Sequence, residues 1–173
     1  MKLIFDLDDT LYLERLHIYQ GFLAVAQYVG EEHGLESRVL YKDLIGFLAS
    51  GSKRVFDDLK EKHGLDAEPK KLVKIYREKP RLLKLLPDVV PGLARLKTDG
   101  HGFALLTNGD SETQWGKIRE LGIKHLFDVI VVTGDYDSES WKPSPNHINT
   151  IMEKMGGGLN HYVDDLIALI SGR

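Results

Sequence analysis

The stretch KLIFDLDDTL, Lys2–Leu11, places three aspartates directly after an apolar run. Lys2–Phe5 has the length and composition of a buried strand, and Asp6 follows where that strand ends. Asp6 and Asp8 alternate, so their side chains project to the same side if the strand conformation continues. An ordinary turn would explain one or two aspartates but not this alternating pair. The pair therefore favours a site that binds a cation or performs acid–base chemistry.

Further along the chain, short apolar runs rich in β-branched or aromatic residues alternate with helical patterns. The runs predict three more strands, at Gly102–Leu106, Val129–Val132 and His161–Val163. The helical patterns are Val89–Leu96, closed by Asp99-Gly100, then Ser111–Leu121 with Ser111 as N-cap, then Pro145–Met155. This alternation predicts an α/β fold, a parallel sheet with helices on both faces.

Residues 14–86 interrupt that alternation with helical patterns alone. The first pattern repeats Leu16, Tyr19, Leu23 and Ala26 at spacings of three and four, and Gly-containing stretches separate the later ones. The sequence therefore predicts a core domain, residues 1–13 and 87–173, interrupted by a helical domain, residues 14–86. The insertion should lie over the carboxyl end of the first strand, where open α/β sheets bind their ligands.

Composition excludes several classes of protein. The chain has 173 residues, a formal net charge of −3 and no cysteine, which excludes disulfides, thiolate zinc sites and cysteine nucleophiles. The charge does not favour binding to nucleic acid or an anionic membrane, and no apolar run reaches 18 residues. The seven histidines form no i, i+4 pair, and serine-hydrolase and P-loop motifs are absent. We expect a soluble cytoplasmic protein.

FDLDDTL, Phe5–Leu11, resembles the first motif of the haloacid dehalogenase superfamily, in which an apolar strand ends in DxDxT. Three later stretches resemble the other motifs in the right order: LLTNG (Leu105–Gly109), WKPSPNHI (Trp141–Ile148) and HYVDD (His161–Asp165). The match covers nearly the whole chain, and the helical insertion resembles the C1 cap of this superfamily. The resemblance implies a Rossmann-like core with an inserted all-α cap.

The resemblance also implies a reaction. Asp6 would be the nucleophile that forms an aspartyl-phosphate, and Asp8 would protonate the leaving oxygen and later accept a proton from water. Halide needs no proton when it leaves, whereas an alkoxide does, so Asp8 favours phosphoester hydrolysis over carbon–halogen cleavage. Thr10 would hold Asp8 or the turn in place, and Asp9 is predicted to be a solvated or capping residue.

A cofactor follows from the charges of the reactants. A carboxylate about 4 Å from the phosphorus of a near-dianionic phosphate faces a repulsion of roughly 8 kcal/mol at an effective dielectric near 20. A hard divalent cation, Mg²⁺, would cancel most of it. By resemblance its ligands are the Asp6 carboxylate, the Asp8 backbone carbonyl and a carboxylate of the fourth motif. Asp165 is the first choice for that third ligand and Asp164 the second.

Other residues are expected to bind the substrate. By resemblance, Lys142 would add a fixed positive charge, Thr107 would donate its hydroxyl to a phosphoryl oxygen, and Asn108 would line the same site. In the helical insertion, Lys53 and Arg54 follow a Gly-Ser turn at a helix start and could meet an anionic substrate. The alternative is that they form a solvated helix end.

The predicted partner is a small phosphorylated metabolite, such as a sugar phosphate or nucleotide, and no oligomeric state is predicted. Two alternatives stay open: a phosphotransferase or mutase of the same family, and a catalytically impaired member that binds phosphometabolites. The second arises because Asp164 replaces the glycine of many relatives and Ile170 replaces a later acid. Relatives also usually continue well beyond this point, so either a short member or a shortened sequence is expected.

Overall fold

The computed structural model describes residues 1–78, 82–136, 145–157 and 160–163. The chain forms two compact units, Met1–Glu14 with Leu82–Arg173, and Arg15–Arg81. The domain bounds predicted above stay a prediction. Among the helices that the structure describes, none is long and apolar enough to cross a membrane.

Strands and helices follow one another largely as the sequence predicts. The strands are β1 Lys2–Phe5, β2 Gly102–Thr107, β3 Val129–Val132 and β4 Asn160–Val163. The helices are α1 Glu14–His33, α2 Ser37–Ala49, α3 Val55–His63, α4 Pro69–Glu78, α5 Val89–Thr98, α6 Ser111–Leu121 and α7 Pro145–Lys154.

The first unit is built on a sheet in which all described strands are parallel, in the order β3-β2-β1-β4. Phe5, the last residue of β1, lies opposite Leu105 of β2 and Val163 of β4. Thr107, the last residue of β2, lies opposite Val132 of β3. The carboxyl ends of the strands therefore meet at one edge of the sheet. Asp6 lies at this edge because it directly follows β1.

Both faces of this sheet are covered by helices. On one face, Leu3 and Phe5 of β1 pack in a cluster with Leu93 of α5 and Ile118 of α6. On the other face, Ile151 of α7 packs in a second cluster with strand residues, namely Ile4, Ala104, Leu106 and Val131. The predicted Rossmann-like α/β core is confirmed.

The described residues of the second unit, 15–78, form helices and no strand, which confirms the predicted all-α insertion. Its core is apolar and drawn from all four helices: Phe22, Val25, Ala26, Val29, Leu40, Leu44, Leu59 and Leu72. The buried face of α1 differs from the one that the periodicity indicates, because Leu16, Tyr19 and Leu23 are 38%, 37% and 46% exposed. Helix α1 carries apolar residues on more than one side, so spacing alone does not select the packed face.

The two connections to the insertion run side by side within the first unit. The Leu86 N–H donates to the Leu11 carbonyl at 2.9 Å, and Tyr12 forms an antiparallel bridge with Leu85. Both segments therefore belong to the first unit, and the Tyr12 side chain also contacts Asp8.

Asp128 links two elements at the opposite edge of the sheet and gives a test of acid stability. Its carboxylate accepts the Phe103 N–H at 2.8 Å and the Lys97 ammonium at 3.2 Å. The Phe103 bond, aided by Lys97, holds the pKa of Asp128 below its ordinary value. A depressed pKa stabilises the fold above the unfolded-state pKa, about 3.9, and this contribution is lost as pH falls through the folded-state pKa.

We expect Asp128→Asn to lower the free energy of unfolding by about 1 kcal/mol at pH 7, because the carboxylate is half exposed. The difference from wild type should shrink in thermal melts recorded below about pH 4. Asp88→Asn is the matched control, since the Asp88 side chain makes no capping bond. An equal destabilisation at pH 7 and pH 3 would contradict the role of the charge.

Candidate active site

Asp6 stands at the carboxyl edge of the sheet, directly after β1. Its backbone N–H donates to the Val163 carbonyl of β4 at 3.0 Å, and its side chain is partly buried. The backbone position of Asp6 is therefore fixed by the neighbouring strand. Asp164 and Asp165 come next after β4 in sequence and lie outside the described residues.

The Asp8 carboxylate accepts hydrogen bonds from three side chains whose contact with it was not predicted from the sequence. Oδ1 accepts the Lys117 ammonium at 2.7 Å and the Tyr12 hydroxyl. Oδ2 accepts the Gln114 side-chain amide at 3.3 Å. The signal for Lys117 is its position on α6, where it shares an otherwise core-facing stripe with Gln114 and Ile118.

Negative charge is concentrated around this carboxylate. Burial, and then the Asp8 carboxylate, hold the pKa of Tyr12 well above its ordinary value, so its hydroxyl stays a donor. Burial also raises the pKa of Glu14, and the charges of Asp8, Asp9 and Asp6 add to that effect while Lys117 opposes it. The Lys117 ammonium lies 4.0 Å from Glu14 and is 2% exposed.

Thr107 ends the neighbouring strand β2 and Asn108 follows it, and Gln114 connects both residues to Asp8. Thr107 is fully buried and its hydroxyl donates to Gln114 Oε1 at 3.3 Å. Gln114 Nε2 in turn donates to the Asn108 carbonyl at 2.9 Å. In this structure the Thr107 proton goes to Gln114, so its donation to a phosphoryl oxygen stays a prediction, as does the role of Asn108.

The loop after β2 is packed closely against the loop after β3. The Gly109 N–H donates to the Thr133 hydroxyl at 3.2 Å. A Cβ on Gly134 would lie 2.2 Å from the Gly109 carbonyl oxygen, so only glycine allows this approach. The packing fixes the backbone that carries Thr107 and Asn108.

The start of α6 requires one correction. Ser111 was predicted as the N-cap, but Asp110 takes that position and its carboxylate accepts the Thr113 N–H at 3.1 Å. Ser111 is the first helical residue, and its hydroxyl donates to Asp135. Asp and Ser are both good caps, so two adjacent candidates are not distinguished by residue type alone.

Asp9 has the predicted capping role. It is exposed, and its Oδ1 accepts the N–H of Glu14, the first residue of α1, at 2.8 Å. Its backbone φ of 54° lies in the left-handed region, which aspartate tolerates better than most residues. Thr10 is buried in the same turn.

The remaining predicted substrate residues are Lys53, Arg54 and Lys142. Lys53 and Arg54 belong to the helical unit and are exposed, and Arg54 lies 3.4 Å from Glu61. Ser52 accepts the Arg54 N–H at 3.0 Å, which suits the start of α3. Their role in substrate binding stays a prediction. Lys142 lies outside the described residues.

The oxygen atoms at this edge that could bind a metal suit a hard divalent cation. They are carboxylate and carbonyl oxygens, the ligands that Mg²⁺ prefers. Burial raises the pKa of Glu14 most, and the nearby carboxylates of Asp8, Asp9 and Asp6 raise it further. Both Asp8 carboxylate oxygens accept hydrogen bonds, so a cation at Asp8 would be held by the backbone carbonyl. Within the described residues no cluster of three or more metal-binding side chains occurs. The predicted third ligand, Asp165 or Asp164, lies beyond them.

Two curated proteins that are similar to this chain carry the same name. A glyceraldehyde 3-phosphate phosphatase from Methanopyrus kandleri is 32% identical over 164 residues, which span 88% of this chain and 69% of that protein. The phosphatase of the same name from Methanothermobacter thermautotrophicus is 28% identical, over 88% of this chain and 70% of that protein.

Solved structures share the fold at lower identity. An HAD phosphatase from Thermococcus onnurineus matches 95% of this chain and 77% of its own, with a TM-score of 0.60 and 24% identity. A 2-haloacid dehalogenase from Pseudomonas syringae matches 93% of this chain and 76% of its own, with a TM-score of 0.58 and 20% identity. Phosphatase and dehalogenase thus share this architecture.

The family model described as haloacid dehalogenase-like hydrolase matches residues 3–165. That range begins inside β1, whose end carries Asp6, and includes all four stretches on which the resemblance was recognised. The match confirms the predicted superfamily: this chain belongs to the haloacid dehalogenase-like hydrolases.

Proposed function

We propose that this chain hydrolyses a small phosphomonoester through a covalent phosphate on Asp6. The chain is a phosphoric monoester hydrolase of its family, because its curated relatives are phosphatases at up to 32% identity over most of its length. The observation that carries the mechanism is the pair of carboxylates after β1, one of which, Asp8, is firmly held by donors.

In the first step an Asp6 carboxylate oxygen attacks phosphorus and the bond from phosphorus to the ester oxygen breaks. Asp8 gives its proton to that oxygen, which leaves as an alcohol. In the second step water attacks the phosphorus of the aspartyl-phosphate and gives a proton to Asp8. Inorganic phosphate leaves and the Asp6 carboxylate is restored. A proton-transfer group of this kind contributes about 10²–10⁴-fold in rate.

Mg²⁺ is the proposed cofactor, with the Asp6 carboxylate, the Asp8 backbone carbonyl and Asp165 or Asp164 as its protein ligands. When bound it would neutralise charge between the phosphate and Asp6. Lys142 is proposed to contribute a further positive charge, and Thr107 and Asn108 to contact the phosphate from the end of β2.

The first substrate to test is glyceraldehyde 3-phosphate, the compound in the names of the relatives. It is a three-carbon sugar phosphate and thus within the predicted class of small phosphorylated metabolites. Lys53 and Arg54 in the helical unit are the proposed residues for distinguishing among substrates, because they are exposed cations at the start of α3.

We expect the chain to release inorganic phosphate from glyceraldehyde 3-phosphate with Mg²⁺ present, at a kcat/KM within the usual enzymatic range of about 10⁴–10⁸ M⁻¹s⁻¹. The measurement is phosphate release across a panel of sugar phosphates, nucleotides and 4-nitrophenyl phosphate. A transfer of phosphate to an added sugar, without free phosphate, would favour the phosphotransferase. Binding without turnover of any ester would favour the impaired member.

A further inference from the structure

Three buried side chains from different parts of the sequence converge on the Asp8 carboxylate. Tyr12 comes from the turn after β1, and Gln114 and Lys117 come from successive turns of α6. They are 0%, 4% and 2% exposed. We call these three residues the Asp8 clamp. No step of the proposed mechanism uses their chemistry directly.

A buried lysine requires a reason because moving an ammonium out of water is costly unless it is paired. Lys117 meets Asp8 at 2.7 Å and Glu14 at 4.0 Å. For stability alone an apolar residue of similar size would serve as well, since replacing buried ion pairs by apolar groups is often neutral or stabilising. The positive charge of Lys117 is therefore explained by its pairing with the Asp8 carboxylate, since packing of the core does not require a charge.

The two Asp8 oxygens are held unequally. Oδ1 accepts two donors, the Lys117 ammonium and the Tyr12 hydroxyl. Among the contacts of the described residues, Oδ2 has the longer Gln114 contact, at 3.3 Å. An oxygen that already accepts two hydrogen bonds is poorly placed to exchange a proton with a substrate, whereas Oδ2 retains that capacity.

We propose that Lys117 is a positioning residue of the reaction. With Tyr12 and Gln114 it fixes the Asp8 carboxyl so that Oδ2 exchanges the proton, first with the leaving oxygen and then with water. This inference rests on the proposed function, in which Asp8 is the proton-transfer group. A misplacement of about 1 Å in such a group costs about 10²-fold in rate.

The test uses the absence of cysteine from the sequence. Lys117→Cys introduces a single thiol, which 2-bromoethylamine alkylates in denaturant to restore an ammonium on a side chain of nearly lysine length. After refolding, the unalkylated variant should hydrolyse glyceraldehyde 3-phosphate with kcat about 10²-fold lower and KM within a few-fold of wild type. Alkylation should recover most of that loss.

The leaving group provides a readout that a purely structural role would not move. Nitrophenolate is a stable anion that needs little help from an acid when it leaves. Unalkylated Lys117→Cys should therefore release a rapid burst of about one nitrophenolate per enzyme from 4-nitrophenyl phosphate. Turnover after the burst should be slow, because hydrolysis of the aspartyl-phosphate still needs Asp8 as a base.

Lys97→Cys, alkylated in the same way, is the matched control and should keep wild-type kinetics. Lys97 pairs with Asp128 near the start of β2, at the opposite edge of the sheet. The inference would be overturned if Lys117→Cys lost the same factor in kcat on both esters and showed no burst. It would also be overturned if the alkylated variant folded but did not recover its kcat.

If circular dichroism shows that Lys117→Cys does not refold, Tyr12→Phe serves as the second variant. Its kcat for glyceraldehyde 3-phosphate must fall about 10-fold, and it must still release a burst of nitrophenolate from 4-nitrophenyl phosphate. If it does not, the inference is wrong. Failure of the proposed function is recognised separately, by activity that survives in Asp6→Asn.

Discussion

Asp6→Asn is expected to lower phosphate release by more than about 10⁴-fold while leaving the protein folded. Asparagine has the shape of aspartate but its amide is not a nucleophile towards phosphorus. The backbone of Asp6 is held by the Val163 carbonyl at 3.0 Å, a bond that the substitution does not touch. The measurement is phosphate release, together with circular dichroism to compare the fold of the two proteins.

The covalent step has its own assay. Wild type quenched during turnover and treated with borohydride should convert an aspartyl-phosphate to homoserine, which mass spectrometry would locate at residue 6. Asp6→Asn should give no such product. Homoserine at residue 8 of wild type, in place of residue 6, would contradict the proposal, because Asp8 and not Asp6 would then be the nucleophile.

Asp9→Asn is the matched control for Asp6→Asn, being the same change three residues later. Asparagine can keep the left-handed backbone at this position and can still accept the Glu14 N–H. We expect activity close to wild type. If both variants lost activity equally, the loss would reflect damage to the turn, and if Asp6→Asn kept a tenth of the wild-type rate, Asp6 would not be the nucleophile.

Local sequence was sufficient to predict the sheet and its functional edge. Strands β1, β2 and β3 are short and largely apolar, and parallel strands joined by helices bring their carboxyl ends together. Asp6, and by resemblance Thr107, were therefore expected at one edge of the sheet. The buried face that the periodicity of α1 indicated was wrong, because apolar residues occur on several sides of that helix and the choice depends on partners distant in sequence.

The Asp8 clamp was missed for the same physical reason. Lys117 and Asp8 lie 109 positions apart, and no local pattern links them. A signal was nevertheless present, since Lys117 falls on the stripe of α6 that also carries Ile118 and Leu121, where a charged residue is unexpected. A lysine at a core position of a helix that flanks an acidic motif is a reason to look for a buried carboxylate partner.

Removing divalent cations should reduce phosphate release by about 10⁴-fold or more. Without a cation, the Asp6 carboxylate and a phosphate dianion repel one another by roughly 8 kcal/mol, and about 1.4 kcal/mol corresponds to a tenfold change in rate. Lys117 is already paired with Asp8, and Lys142 is proposed to add a single positive charge, so these two lysines would offset only part of that repulsion. The measurement is phosphate release after dialysis against EDTA, with and without added Mg²⁺.

The proposed third ligand can be tested by binding as well as by activity. Asp164→Asn and Asp165→Asn are a matched pair of adjacent substitutions. Calorimetric titration with Mg²⁺ should show a larger loss of affinity for Asp165→Asn, because it is the first choice as ligand. A larger loss for Asp164→Asn would move the ligand by one residue. Full activity in EDTA would be incompatible with a cation at this edge. Unchanged Mg²⁺ affinity in both variants and in Asp6→Asn would be incompatible with it as well. Protein charges alone would then have to offset the repulsion between Asp6 and the phosphate.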